Sequence, residues 1–226
     1  MKIRAVTFDV GGTLIDPWPS VGHVYAEVAR THGFPAPSAE ILDRQFASAW
    51  KHRAGFRYTK DDWARVVYAS FAGSAADAES PAAKVGFFEA LYARFTQPDV
   101  WRIYTDVLPT LTALRAAGLR LGIISNWDER LKPLLQVLHL SEYFHSMVIS
   151  NDLGATKPDR RIFDAAAAQL AEAPDCILHV GDSPTEDVAG AKAAGFNAAW
   201  LDRADNSPQP DRIHSLQELI PGWVAV

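Results

Sequence analysis

The chain has 226 residues, 48% of them hydrophobic and 22% charged, with a formal net charge of -5. That length buries a core in one large domain or two modest ones, and the acidic balance provides no electrostatic footprint for nucleic acid or an anionic membrane surface. No stretch approaches the length that crosses a bilayer, the first residues enter a strand without a signal-peptide pattern, and the single cysteine, Cys176, has no internal disulfide partner, so a cytoplasmic monomer or homodimer is expected.

In chain order, the first apolar run, Ile3 to Asp9, ends on a carboxylate and turns at once through Gly11 and Gly12. This is the pattern of a buried strand that delivers an acid into a tight turn. From about Pro17 to Trp101 the sequence carries helical runs, Val21 to His32, Ala39 to Lys51, Asp62 to Phe71 and Lys84 to Phe95, with no convincing strand. They predict a helical subdomain over 17–101, inserted after the first strand, with 1–16 and 102–226 forming the other domain. Beyond it, the apolar runs Leu119 to Ser125, Met147 to Asn151, Ile177 to Asp182 and Ala198 to Asp202 alternate with helical patterns. The helices expected are Leu108 to Ala117 closed by Gly118, Asp128 to Leu138, Ile162 to Ala171, and Pro184 to Ala194 closed by Gly195. Continuous apolar runs read as buried parallel strands, and their alternation with helices predicts an α/β fold with right-handed crossovers. Cys176 reads as a small buried hydrophobe, and Asn206 to Pro210 as a surface turn.

The polar residues of interest lie at the strand ends. In open parallel sheets the crevice beyond the carboxyl ends is the usual ligand site, and Asp9, Ser125, Asp182 and the segment leading to Lys157 are all delivered there. In Gly181-Asp182-Ser183-Pro184-Thr185-Glu186-Asp187, Ser183 is an expected N-cap, Pro184 suits the first helical position and Glu186 completes a capping box. Asp182 then precedes the cap and Asp187 lies one turn into the helix, so both can face one mouth.

Each residue alone has a plainer reading. A strand-end aspartate serves as a turn or cap residue, a Lys-Pro pair as surface, Ser125-Asn126 as a helix cap, and Asp187 as a first-turn acid. Together they weigh differently. Carboxylates about 4 Å apart repel by roughly 4 kcal/mol at an effective dielectric of 20, so Asp9, Asp182 and Asp187 gather only around a cation. Oxygen ligands of this kind suit magnesium, which commonly serves phosphate substrates. Lys157 and the Ser125 hydroxyl would add positive charge and a donor for an anionic group beside it.

Four segments, Asp9-Val10-Gly11-Gly12-Thr13-Leu14, Gly122-Ile123-Ile124-Ser125-Asn126, Lys157-Pro158-Asp159 with Arg161-Ile162-Phe163, and Gly181-Asp182-Ser183 through Asp187, resemble in order the motifs of the haloacid dehalogenase (HAD) superfamily over residues 3 to 202. Ser125 through Leu131 and the Val10-Gly11 pair are also similar to its subgroup called haloacid dehalogenase-like hydrolase domain-containing protein 3. The resemblance implies a Rossmann-like core of strand order 3-2-1-4-5 with an all-helical cap of the C1 type. It implies Asp9 as the nucleophile that forms an aspartyl intermediate, and magnesium held by Asp9, the Gly11 carbonyl and Asp182, with Asp187 supporting. Ser125 and Lys157 would hold the phosphoryl group of a small-molecule phosphate substrate, with Gly12, Asn126 and Trp127 beside them; Trp127 reads equally as a core residue.

The departure is at Gly11, where phosphatases of the family carry an aspartate that protonates the leaving alcohol. A positioned acid or base contributes typically about 10² to 10⁴ in rate, so ordinary phosphate monoesters should be poor substrates and good leaving groups better ones. His23 or Tyr25 are candidate replacements, each with a structural alternative. Lys51 to Lys60, with four fixed cations and two aromatics in ten residues, reads either as a solvated face or as an anion-recognising loop; Trp18, Trp50, Trp63 and Trp101 read as packing. The competing functions are a phosphohydrolase, a catalytically weak binding or regulatory protein, and a metal-free dehalogenase, against which the extra acids argue.

Overall fold

The computed structural model describes residues 3–53, 55–72, 86–204, 209 and 211–222. The chain opens with β1 (Ala5–Phe8) and β2 (Ile15–Pro17), then runs through α1 (Val21–Thr31), α2 (Ala39–Lys51), α3 (Lys60–Phe71) and α4 (Phe87–Arg94) to β3 (Trp101–Ile103). It continues with α5 (Val107–Ala116), β4 (Arg120–Ser125), α6 (Leu131–Val137), β5 (Ser146–Ile149), α7 (Ser150–Leu153), α8 (Arg160–Leu170) and β6 (Ile177–Gly181). A π-helical segment, Pro184–Ala189, leads to α9 (Gly190–Ala193), β7 (Asn197–Leu201), β8 (Arg212–Ile213) and α10 (Leu219–Gly222).

Two compact units result, Met1–Asp16 with Ile103–Val226, and Pro17–Arg102. The first holds a six-stranded parallel sheet in the order β5-β4-β1-β6-β7-β8. Its first five strands therefore lie in the order 3-2-1-4-5, and β8 adds a sixth at the edge. β1, central in the sheet, is buried along its whole length, as is β6, which is why both read as continuous apolar runs rather than alternating ones. Under the sheet, Phe163 of α8 is fully buried with Ile124, Ile162, Leu170 and Phe196. The helical unit has its own core around Tyr25, Phe34, Leu42, Phe71 and Phe87, with the Tyr25 ring stacked on Phe71 at 5.8 Å between centroids.

Several expected elements shift. β5 ends at Ile149, and Ser150 to Leu153 form a helical turn closed by Gly154 in the left-handed region. The helix expected from Asp128 begins only at Leu131, because Asp128 is fully buried and folds back on Arg130, accepting from its backbone N–H (3.0 Å) and from both ends of its guanidinium (2.8 and 2.6 Å). β2 and β3, which pair in a separate two-stranded sheet, and β8 were not expected; strands of two or three residues show no readable period. Cys176 ends a 3₁₀ turn and is half-buried rather than buried. Asn206 to Pro210 falls almost wholly outside the described residues, as do Lys84 and Val85 of the fourth expected helix. Among the described residues, no helix is long and apolar enough to cross a membrane.

Candidate active site

Sheet register gathers the site. Phe8 pairs with Ile123 on one side and Val180 on the other, so Asp9 emerges within a residue of Ser125 and of Asp182. The turn after it closes with Leu14 N–H on the Val10 carbonyl (2.8 Å) and Gly12 N–H on the Ile15 carbonyl (2.9 Å). Arg203 anchors it by donating to the Thr13 carbonyl (2.8 Å) while pairing with Asp106. Gly12 carries the positive φ of this turn, 73°, and a Cβ there would fall 2.5 Å from Asp182 Oδ2. Glycine is thus required at that position by both backbone and neighbour. Gly11 has no such φ.

Lys157 is the central charge. Buried on the loop before α8, it donates to Asp9 Oδ1 (2.6 Å) and Asp187 Oδ1 (2.5 Å). Burial works against its charge, but the two carboxylates raise its pKa well above the ordinary lysine value. Ser125 Oγ donates to the same Asp9 oxygen (2.9 Å), which leaves Oδ2 as the oxygen of Asp9 without a hydrogen-bond donor among the described residues. Burial raises the Asp9 pKa above its usual value against the pull of Lys157. Asp187 is also buried, yet Lys157 and then His179 hold it below the usual carboxylate range. Asp182 reaches solvent at the mouth. Desolvation, then the neighbouring charges of Asp9 and Asp187, push it up to about 7; because its side chain meets water, the crowding of carboxylates is the cause that the geometry supports.

One oxygen from each of Asp9, Asp182 and Asp187 lies within 4.8 Å of the others. A dication fits this donor set: Asp182 forms no ion pair among the described residues, and the crowding that resists its ionisation beside two other carboxylates is relieved when a cation binds between them.

The surrounding residues hold these groups. Asn126 clamps the Lys157 peptide, its Oδ1 accepting from Lys157 N–H (2.7 Å) and its Nδ2 donating to the Lys157 carbonyl (3.1 Å) and to Glu186 (3.1 Å). Its amide therefore positions the lysine. Ser183 caps as expected, accepting from Glu186 N–H (3.2 Å), but the capping box does not close through Glu186: the Ser183 N–H donates to Asp187 Oδ2 (2.9 Å). Drawing Asp187 inward in this way opens the expected α-helix into a π turn, with the Ser183 carbonyl accepting from both Asp187 and Val188.

Sequence reasoning passed over His179 and Thr7. His179, fully buried, bonds Asp187 Oδ1 through Nε2 (3.0 Å) and Thr7 Oγ1 through Nδ1 (2.9 Å). Since an ionised Asp187 only accepts, Nε2 carries the hydrogen in that bond. The signal was one polar residue in each of two apolar strands. Trp200, whose Nε1 donates to the Asp182 carbonyl (3.0 Å), was also missed. Of the cap candidates for a replacement acid, Tyr25 is buried in the helical unit's core and His23 bonds Ser20 Oγ (2.8 Å). The Lys51 to Lys60 stretch is partly explained by packing: Phe56 and Tyr58 join Trp50 and Trp63 in one aromatic cluster, Arg53 stacks over Trp50 at 3.8 Å, and Lys60 pairs with Glu89.

Residues 3–195 match the family model described as haloacid dehalogenase-like hydrolase. A mouse protein named haloacid dehalogenase-like hydrolase domain-containing protein 3 is 33% identical across 98% of this chain and 94% of its own. The (S)-2-haloacid dehalogenase 4A of Burkholderia cepacia is 30% identical across 97% of this chain and 94% of its own. Among solved structures, a HAD phosphatase from Thermococcus onnurineus superposes with a TM-score of 0.69 over 100% of both chains, at 28% identity. With four ordered motifs converging at the carboxyl ends of a parallel sheet and a family match over most of its length, the chain belongs to the haloacid dehalogenase-like hydrolases.

Proposed function

We propose that the protein is a magnesium-dependent phosphohydrolase that acts on a small soluble phosphate compound through an aspartyl-phosphate on Asp9. The observation that carries this reading is the gathering of Asp9, Asp182 and Asp187 around a common point with the Lys157 ammonium bonded to two of them. Asp9, Asp182 and the Gly11 carbonyl would hold magnesium with Asp187 in support, and the ion would supply positive charge to the phosphoryl oxygens. Ser125 and Lys157 fix one oxygen of Asp9 and stand ready to bind the transferring phosphoryl group, with Gly12 and Trp127 beside it. In this reading the helical unit is the cap module and the protein is cytoplasmic.

The identity to a haloacid dehalogenase keeps metal-free displacement at carbon as the second reading. Asp182 weighs against it, because an uncompensated third acid serves no purpose beside a nucleophile that works without a cation. The test is turnover of phosphate esters, acyl phosphates, phosphonates and 2-haloacids with and without magnesium. Magnesium-dependent hydrolysis of a phosphate compound, lost in Asp9→Asn, is expected. Wild-type turnover in that variant, with deamidation excluded by mass spectrometry, would overturn the covalent route.

A further inference from the structure

The space beside Gly11 is filled from another strand end. A Cβ on Gly11 would stand 3.3 Å from Cζ3 and 4.0 Å from Cη2 of Trp127, so the indole edge abuts the turn that carries Asp9. The backbone of Trp127 is tied down: its N–H donates to Ser150 Oγ (3.0 Å), that hydroxyl donates back to the Trp127 carbonyl (3.0 Å), and Asn151 N–H donates to the same carbonyl (3.2 Å). Since the positive φ of the turn falls on Gly12, the backbone at Gly11 does not itself demand glycine. What restricts the position is the indole.

We infer that Trp127 is a specificity-determining residue, its ring taking room that an acid side chain at position 11 would need and setting an apolar aromatic edge in its place. The inference rests on the phosphohydrolase reading and names its substrate class. An indole edge gives no proton to a departing alkoxide, but it packs edge-to-face against a planar group. The substrates it suits are phosphate monoesters whose leaving group is planar and departs as a stabilised anion, aryl phosphates being the simplest.

The experiment uses analogues that are not hydrolysed. The magnesium-saturated protein is titrated calorimetrically with inorganic phosphate, methylphosphonate and phenylphosphonate. Trp127→Leu keeps an apolar side chain and removes the ring, and should weaken phenylphosphonate about tenfold more than methylphosphonate; Trp127→Phe should retain most of the aryl affinity. In steady state, Gly11→Asp should raise turnover of an alkyl phosphate by up to about 10² to 10⁴ when combined with Trp127→Ala, and far less alone. Equal weakening of both phosphonates in Trp127→Leu, no weakening of either, or an equal gain from Gly11→Asp in both backgrounds would overturn the inference. Failure of the wild type to bind inorganic phosphate would instead overturn the phosphohydrolase reading beneath it.

Discussion

At the scale of single residues, the site is a contest between one buried ammonium and several carboxylates. Lys157 pairs with both Asp9 and Asp187, so its removal takes away their shared countercharge rather than merely deleting two hydrogen bonds. Lys157→Met should cost about 3–5 kcal/mol in the metal-free protein, read by urea unfolding. The deficit should shrink as pH falls, because the orphaned carboxylates then take up protons; a loss under about 1 kcal/mol at neutral pH would contradict this. Asp182 has the opposite sign. It is crowded by two acids, so Asp182→Asn should raise the melting temperature of the metal-free protein at pH 8 while removing magnesium binding by calorimetry. Unchanged magnesium affinity would remove Asp182 from the ligand set.

At the scale of elements, the loop carrying Lys157 is held from below by helix contacts. Gly190 begins α9, and a Cβ there would stand 2.9 Å from Phe163 Cε2 and 3.0 Å from the Pro158 Cα. The aromatic ring can shift, but the Pro158 backbone follows Lys157 directly and is clamped through Asn126. Gly190→Ala should therefore destabilise by about 1–3 kcal/mol despite alanine's better helix propensity, and should lower turnover by moving Lys157. Thermal unfolding and steady-state rates of the one variant measure both; a more stable variant would show that the two helices separate freely. The same packing explains the polar chain through the sheet. Thr7 and His179 are register partners on β1 and β6, with Phe163 edge-on to the imidazole at 5.4 Å, so Asp187 is oriented from inside the core.

At the scale of the whole molecule, stability becomes a function of pH and metal through Asp182. Its folded pKa, pushed up to about 7, lies well above the ordinary value of an aspartate, 3.8. The folded state then binds more protons than the unfolded one between those values, so the contribution of Asp182 to stability is present below the lower value and lost as pH rises through the upper one. Metal-free protein should lose stability from this group between about pH 4 and pH 7, and magnesium, which binds the ionised carboxylate, should restore it. The rise in melting temperature on adding magnesium should thus be larger at about pH 8 than at about pH 5. Scanning calorimetry at both values decides this, and an equal rise would place the cation elsewhere.

The five longest strands and most of the helices were legible in the sequence because burial on both faces writes a continuous apolar run and a helix writes a 3.6-residue period. Asp9, Ser125 and Asp182 stood out as candidates because each closes a strand or opens the loop after it, and Lys157 and Asp187 because they follow in the next loop or helical turn; the fold brings the five close together. Other features depended on tertiary structure. The pairing of Thr7 with His179 exists only through the register of two strands that lie 172 residues apart in sequence. The π turn arises because Asp187 answers to Lys157, His179 and the Ser183 N–H at once, a demand that no local propensity encodes. The glycine that follows Asp9 by two places looked in sequence like a lost acid; in the fold it abuts the edge of Trp127, brought there by the strand beside it. Local chemistry determined which residues reach the strand ends, and the long-range pairing of the sheet decided which of them meet.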